Sequence, residues 1–114
     1  MYEYTCKLIR VVDGDTLSVD VDLGFTVHVS VMFRLSGINA PETVGSSRAA
    51  GVASKQHLEN LLSQGTLIVQ SKKPVKTDKY GRWLGTFYVT KLDGVVFNVN
   101  DQMVVDGFAV VYVP

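Results

Sequence analysis

Two arginines, a pair of aspartates and a glutamate lie along this chain in positions that could handle a phosphodiester. Arg34 and Glu42 stand eight residues apart near the ends of FRLSGINAPET, residues 33–43, with Gly37 between them. Upstream, VDGDT at residues 12–16 sets Asp13 and Asp15 around Gly14, and downstream TDKYGR at residues 77–82 supplies Arg82. Guanidinium forks bind phosphate oxygens through paired, charge-assisted hydrogen bonds. Carboxylate oxygens suit hard divalent cations, and a further carboxylate can take a proton from an attacking water. Together these groups are the minimum equipment for hydrolysing a phosphodiester, and the chain reads as a small metal-dependent nuclease. Singly, each has an ordinary explanation: Asp-Gly turns commonly carry carboxylates, and arginines on strands or glutamates in loops are usually solvated.

The elements that must position these residues are mostly strands. Leu17, Val19, Val21 and Leu23 alternate with Thr16, Ser18, Asp20 and Asp22, which gives one apolar face. Asp15 shares the parity of Leu17 and Val19, so its carboxylate is expected on the core side at the end of a barrel. A carboxylate there is costly unless compensated, and a divalent cation is a natural compensator. Phe25, Val27, Val29, Val31, Phe33 and Leu35 continue the alternation, which puts Arg34 on the outward parity with His28 and Ser30. Asp13-Gly14 predicts a hairpin between residues 8–12 and 15–23. The period then changes: Ala50, Ala53, His57, Leu58, Leu61 and Leu62 fall at helical spacing over residues 47–63, with Gly65 beyond. Residues 66–70 and 83–90 read as two further strands, residues 95–97 as a short extended piece, and residues 98–106 as a short helix closed by Gly107. The expected fold is α+β, mainly β: a five-stranded OB-type barrel with a helix between strands 3 and 4 and a short helix near the C-terminus.

Composition bounds the rest. The chain has 114 residues, 46% of them hydrophobic, which predicts a folded single domain over residues 1–114. Net charge is formally zero, which argues against coating nucleic acid by global attraction. Residues 72–82 nevertheless hold five basic side chains and one acid, a local +4. Such a strip suits one segment of a polyanion and equally suits a solvated loop. The single cysteine, Cys6, excludes an internal disulfide and a cysteine-rich metal site, and is expected to be a buried strand residue. His28 and His57 are expected on a strand surface and a helix face, outside any metal site, and Trp83 is expected to pack. No transmembrane run or signal-peptide pattern is visible, so an intracellular protein is expected, or a secreted one had a leader been removed.

FRLSGINAPET, VDGDT and TDKYGRWLGTFYV occur in this order and together resemble the staphylococcal (micrococcal) nuclease family, thermonuclease-like, over roughly residues 6–112. The resemblance implies a Ca²⁺-dependent nuclease that acts on DNA, RNA or both, preferring single-stranded substrate and leaving 3′-phosphate ends. It places metal ligands at Asp15, at Asn39, where the family usually has a second aspartate, and at the backbone carbonyl of Ala40. Phosphate-binding arginines fall on Arg34 and Arg82, the carboxylate that activates water on Glu42, and groups near the bound nucleotide on Lys79, Tyr80 and Tyr112. Asn39 implies weaker metal affinity than two carboxylates would give. The alternative is a nuclease-like OB module that binds single-stranded nucleic acid without cleaving it, or that serves in protein assembly. Because the family usually continues into another helix beyond the position of Pro114, a homo-oligomer covering the barrel surface is a further expectation.

Overall fold

The computed structural model describes residues 2–71 and 82–113. Its elements run β1 (Tyr2–Asp13), β2 (Thr16–Asp22), β3 (His28–Leu35), β4 (Ile38–Asn39), a 3₁₀ turn (Gly45–Ser47), α1 (Arg48–Leu62), β5 (Gly65–Ser71), β6 (Trp83–Lys91), β7 (Val96–Asn98), α2 (Val99–Val105) and β8 (Val110–Val111). The main sheet has the order β3-β2-β1-β5-β6-β7, and β3 also pairs with β6. That last pairing is parallel, Phe33 with Trp83 through Leu35 with Gly85, and it closes five strands into a barrel. With α1 between the third and fourth barrel strands and α2 near the C-terminus, this is the expected OB-type architecture.

The alternation read from the sequence is what fills the barrel. Leu17, Val19 and Val21 of β2, Phe33 and Leu35 of β3, Leu67 and Val69 of β5, and Phe87 and Val89 of β6 are all buried. Phe33 and Phe87 meet edge to face at 5.5 Å, the arrangement favoured by the ring quadrupoles. Leu58, Leu61 and Leu62 of α1 and Val99 and Met103 of α2 join the same core. Asn100 is the polar pin in it: its side-chain nitrogen donates to the carbonyls of Ser36 and Gly85, and its side-chain oxygen accepts from the amide of Phe87. A buried amide satisfied on both ends fixes α2 against β6 and the end of β3 without an orphaned polar group. Cys6 is 4% exposed, and burial, with Asp20 adding to it, pushes its thiol up to about 12.

Three features depart from the sequence reading. The first strand begins at Tyr2, earlier than expected, because residues 2–6 pair with β5. Residues 25–27 do not continue β3; Phe25 and Thr26 take positive φ values of 55° and 62° and form the bend between β2 and β3. There Phe25 is 98% exposed, so the apolar alternation runs on past the point where the core ends. The two-residue strands β4 and β8 were not expected, and they pair Ile38 with Val111 and Asn39 with Val110. Among the described residues no helix is long and apolar enough to cross a membrane.

Candidate phosphodiester site

The site is assembled at one end of the barrel, around the two-residue turn that joins β1 to β2. As the parity predicts, Asp15 is turned inward and only 6% exposed. Its carboxylate accepts from the hydroxyl of Thr16 at 3.0 Å through Oδ1 and from the amide of Ala40 at 2.9 Å through Oδ2. Its backbone carbonyl accepts from the amide of Leu35 at 2.8 Å, which locks the turn to the end of β3. Among the described residues no buried side-chain nitrogen or oxygen lacks a hydrogen bond.

Arg34 sits opposite Thr16 in the β2–β3 register. Sequence parity placed this side chain outward, yet it is only 13% exposed. The guanidinium turns along the barrel rim, where Nη2 donates to Asn39 Oδ1 at 3.0 Å and lies 3.7 Å from Asp15 Oδ2. The ring of Tyr112 covers it from 5.2 Å, a cation–π contact. Tyr112 is brought there by the short β4–β8 pairing, which its own amide extends by donating to Gly37 at 2.8 Å. The same pairing fixes Asn39, so one small structural device sets both a candidate ligand and the cover of an arginine.

Arg82 enters just ahead of β6, and its Nη1 donates to the Thr16 hydroxyl at 3.0 Å. Thr16 is 2% exposed and serves as a relay: its hydroxyl accepts from Arg82 and donates to Asp15. Sequence reading missed this role, because a threonine on a strand is ordinary and only the fold brings Arg82 to it. Glu42 is exposed in the loop after β4. Among the described residues its carboxylate has no partner, while its backbone carbonyl accepts from Ser47 Oγ at 3.3 Å. Next to it, the Thr43 hydroxyl donates to Asp13 Oδ1 at 2.9 Å, tying the loop to the β1–β2 turn. Asp13 therefore acts as a loop anchor.

Asp15, Thr16, Arg34, Asn39, Ala40, Arg82 and Tyr112 are thus linked by a chain of contacts in which Thr16 joins Arg82 to Asp15, and Glu42 lies two residues beyond Ala40. Lys79 and Tyr80 lie outside the described residues, as does the basic strip preceding Arg82. Among the described residues no group of three or more His, Cys, Asp or Glu side chains could hold a metal. The candidate donors are instead one carboxylate, one amide oxygen and one backbone carbonyl, from Asp15, Asn39 and Ala40. All three are hard oxygen donors, so they fit Ca²⁺ or Mg²⁺ in type, with a single formal negative charge among them. A groove of about 400 Å³ opens beside Asn39 and Ala40, walled by Pro41, Ala53 and Phe108. Its lining is mostly apolar and does not suit a phosphate.

His28 and His57 lie on a strand and a helix, as expected. His28 Nδ1 lies 3.2 Å from Asp20 Oδ2 on the strand surface. His57 stacks on Phe108 at 4.1 Å and contacts Asp106 Oδ2 through Nε2 at 2.7 Å, joining α1 to the end of α2. Hydrogen bonds from His57 and then Gln102 hold the Asp106 carboxyl below its usual range. Trp83 is partly buried against the core.

The family described as "Staphylococcal nuclease homologue" matches residues 32–114, a span that contains Arg34, Asn39, Glu42 and Arg82 and leaves Asp15 outside. Protein ParB of Escherichia coli is 34% identical over 110 residues, covering 93% of this chain and 56% of that protein. The thermonuclease of Staphylococcus hyicus is 35% identical over 95 residues, 73% of this chain and 50% of the enzyme. An uncharacterized protein of Methanocaldococcus jannaschii, MJ1439, is 28% identical over 130 residues, 96% of this chain and 60% of its own length. The chain therefore spans between 50% and 60% of the length of these relatives.

Proposed function

Because the chain belongs to the staphylococcal nuclease homologue family, we propose that it is a Ca²⁺-dependent nuclease. In this reading it hydrolyses phosphodiester bonds of DNA, RNA or both, with low sequence specificity and 3′-phosphate products. The observation that carries the reading is the convergence of two arginines on one buried carboxylate. Arg34 Nη2 lies 3.7 Å from Asp15, and Arg82 reaches Asp15 through Thr16 by two 3.0 Å hydrogen bonds. Two cations, one from β3 and one from just ahead of β6, gathered around one short turn are poised for an anion with several oxygens.

The roles in this reading are those the family resemblance implies, and the contacts around Asp15 support them. Asp15, Asn39 and the carbonyl of Ala40 would hold Ca²⁺, which when bound supplies Lewis acidity and a more acidic water. Arg34 and Arg82 clamp the non-bridging phosphate oxygens and offset the charge that grows as water adds, an interaction strongest in the transition state. Glu42, solvent-exposed at the site's edge, takes the proton from the attacking water. The 5′-oxygen leaves, so the phosphate stays on the 3′ side. Tyr112, whose ring lies over Arg34 at 5.2 Å, offers a ring for a base to stack on, which holds a strand without reading its sequence. Stacking needs an unpaired base, hence the preference for single-stranded or frayed substrate. By the same resemblance Lys79 and Tyr80 belong near the terminal phosphate of the bound nucleotide.

A second reading is favoured by one residue. Asn39 leaves the oxygen cluster with one formal charge, and a weakly metal-binding member would serve as a single-strand binding module. The test is a gel assay of single-stranded DNA and RNA with Ca²⁺, Mg²⁺ or chelator, alongside Asn39→Asp. The enzyme reading expects Ca²⁺-dependent cleavage by the unaltered protein and tighter Ca²⁺ binding by Asn39→Asp. Binding without cleavage by both proteins supports the module instead.

A further inference from the structure

Helix α1 carries a glycine, Gly51, in a buried position on the face it shares with Ser54 and Leu58. Glycine weakens a helix interior relative to alanine, so a buried one calls for a packing reason. The reason here is the loop that bears Glu42. A Cβ at position 51 would lie 1.9 Å from the carbonyl oxygen of Glu42, 2.3 Å from its carbonyl carbon and 2.7 Å from the amide of Thr43. These atoms are backbone, so no rotamer change can relieve the overlap. The Glu42–Thr43 peptide lies directly on the helix, and only hydrogen at position 51 lets it.

The contact belongs to a clamp. On its other side Thr43 donates to Asp13 at 2.9 Å. One helical turn further along α1, Ser54 meets Gly14, where a Cβ would lie 2.6 Å from Ser54 Cβ and 2.9 Å from Ala40 Cβ. The loop from Ala40 to Thr43 is therefore held between the β1–β2 turn and one face of α1. The Glu42 carboxylate has no partner among the described residues, so its placement is inherited from its backbone.

We infer that Gly51 is the positioning residue for Glu42: it sets the height of the Glu42–Thr43 peptide over the site, and through it the reach of the carboxylate. The inference rests on the assignment of Glu42 as the proton acceptor. It also separates Glu42 from most of the cation and phosphate groups, because Asp15, Arg34, Asn39 and Arg82 are carried by the β1–β2 turn, β3, β4 and the start of β6; Ala40 alone shares the clamped loop, and Asp15 holds its amide at 2.9 Å. A displacement of about 1 Å in a reacting group costs on the order of a hundredfold in rate.

The experiment compares Gly51→Ala with Gln56→Gly, which weakens the same helix at an exposed position away from the loop. Gly51→Ala is expected to lower kcat on single-stranded DNA by roughly a hundredfold, with KM within about twofold of the parent; Gln56→Gly is expected to leave both unchanged. Combined with Glu42→Gln, Gly51→Ala should add nothing, since one residue acts through the other. Independent, multiplying losses would overturn the inference, as would equal losses in Gly51→Ala and Gln56→Gly. Amide shifts give a readout that does not depend on turnover. Gly51→Ala must move the Glu42 and Thr43 amide resonances while leaving Asp15 and Thr16 in place, and an unmoved loop overturns the inference even in a protein that proves catalytically silent. Silence of the parent protein alone would count against the nuclease reading and not against the clamp.

Discussion

Strand β2 ends in two turns of opposite character. At its start, the Gly14-Asp15 turn buries a carboxylate to 6% exposure and satisfies both its oxygens. At its end, the bend of residues 23–27 is closed by two backbone hydrogen bonds of 2.9 Å and presents Phe25 at 98% exposure. The first turn departs from the usual rule by burying charge and the second by exposing an aromatic ring. Only the first departure is compensated, because Thr16, Ala40, Arg34 and Arg82 all lean toward Asp15. A buried carboxylate persists only with its hydrogen-bond partners in place, whereas an exposed ring on a strained bend needs no partner to persist.

Substitution at the first turn should therefore change chemistry, and substitution at the second only stability. Asp15→Asn is expected to have the largest effect, abolishing detectable Ca²⁺ binding in a calorimetric titration and with it cleavage. Arg82→Ala follows, lowering turnover about a hundredfold or more while moving the melting temperature little; a large fall in both would make Arg82 a structural residue. Away from either turn, Asp106→Asn removes the contact with His57. The Asp106 carboxyl is held below its ordinary value of 3.8. Its contribution to stability is thus complete at neutral pH and lost as pH falls through the lowered value. The variant should melt earlier than the parent at pH 7, and the difference should vanish in strong acid. The smallest effect belongs to the second turn. Phe25→Asn places a residue that tolerates positive φ where phenylalanine does not, which should raise stability by about 1 kcal/mol and leave cleavage unchanged. Altered cleavage in that variant would break the contrast between the two turns.

How far the site could be read from the sequence follows from how local each feature is. The inward aim of Asp15 was legible, since period-2 alternation through Leu17 and Val19 fixes it from neighbours alone. The covering of Arg34 was not, because it depends on Tyr112 arriving from the far end of the chain along a two-residue strand pairing. The same alternation misled at Phe25, where apolar residues keep the rhythm after the chain has bent. Thr16 gave no signal, as its role needs Arg82 beside it. Gly51 did give one: a glycine inside a helical pattern marks a place where another backbone comes close, although the sequence does not say which backbone. The barrel was legible because its strands repeat their pattern over many residues, whereas the site is made of single contacts between distant ones.

In the proposed function Glu42 performs chemistry beside a separately built anion and cation site. That role is tested most directly by single-turnover cleavage of labelled single-stranded DNA in Ca²⁺ by the parent and by Glu42→Gln, with DNA binding measured on the same samples. The expected result is equal binding, cleavage by the parent to 3′-phosphate ends, and a rate lower by roughly 10²–10⁴-fold in Glu42→Gln. Cleavage at the parent rate by Glu42→Gln, or a parent protein that binds DNA and never cuts it, would contradict the account.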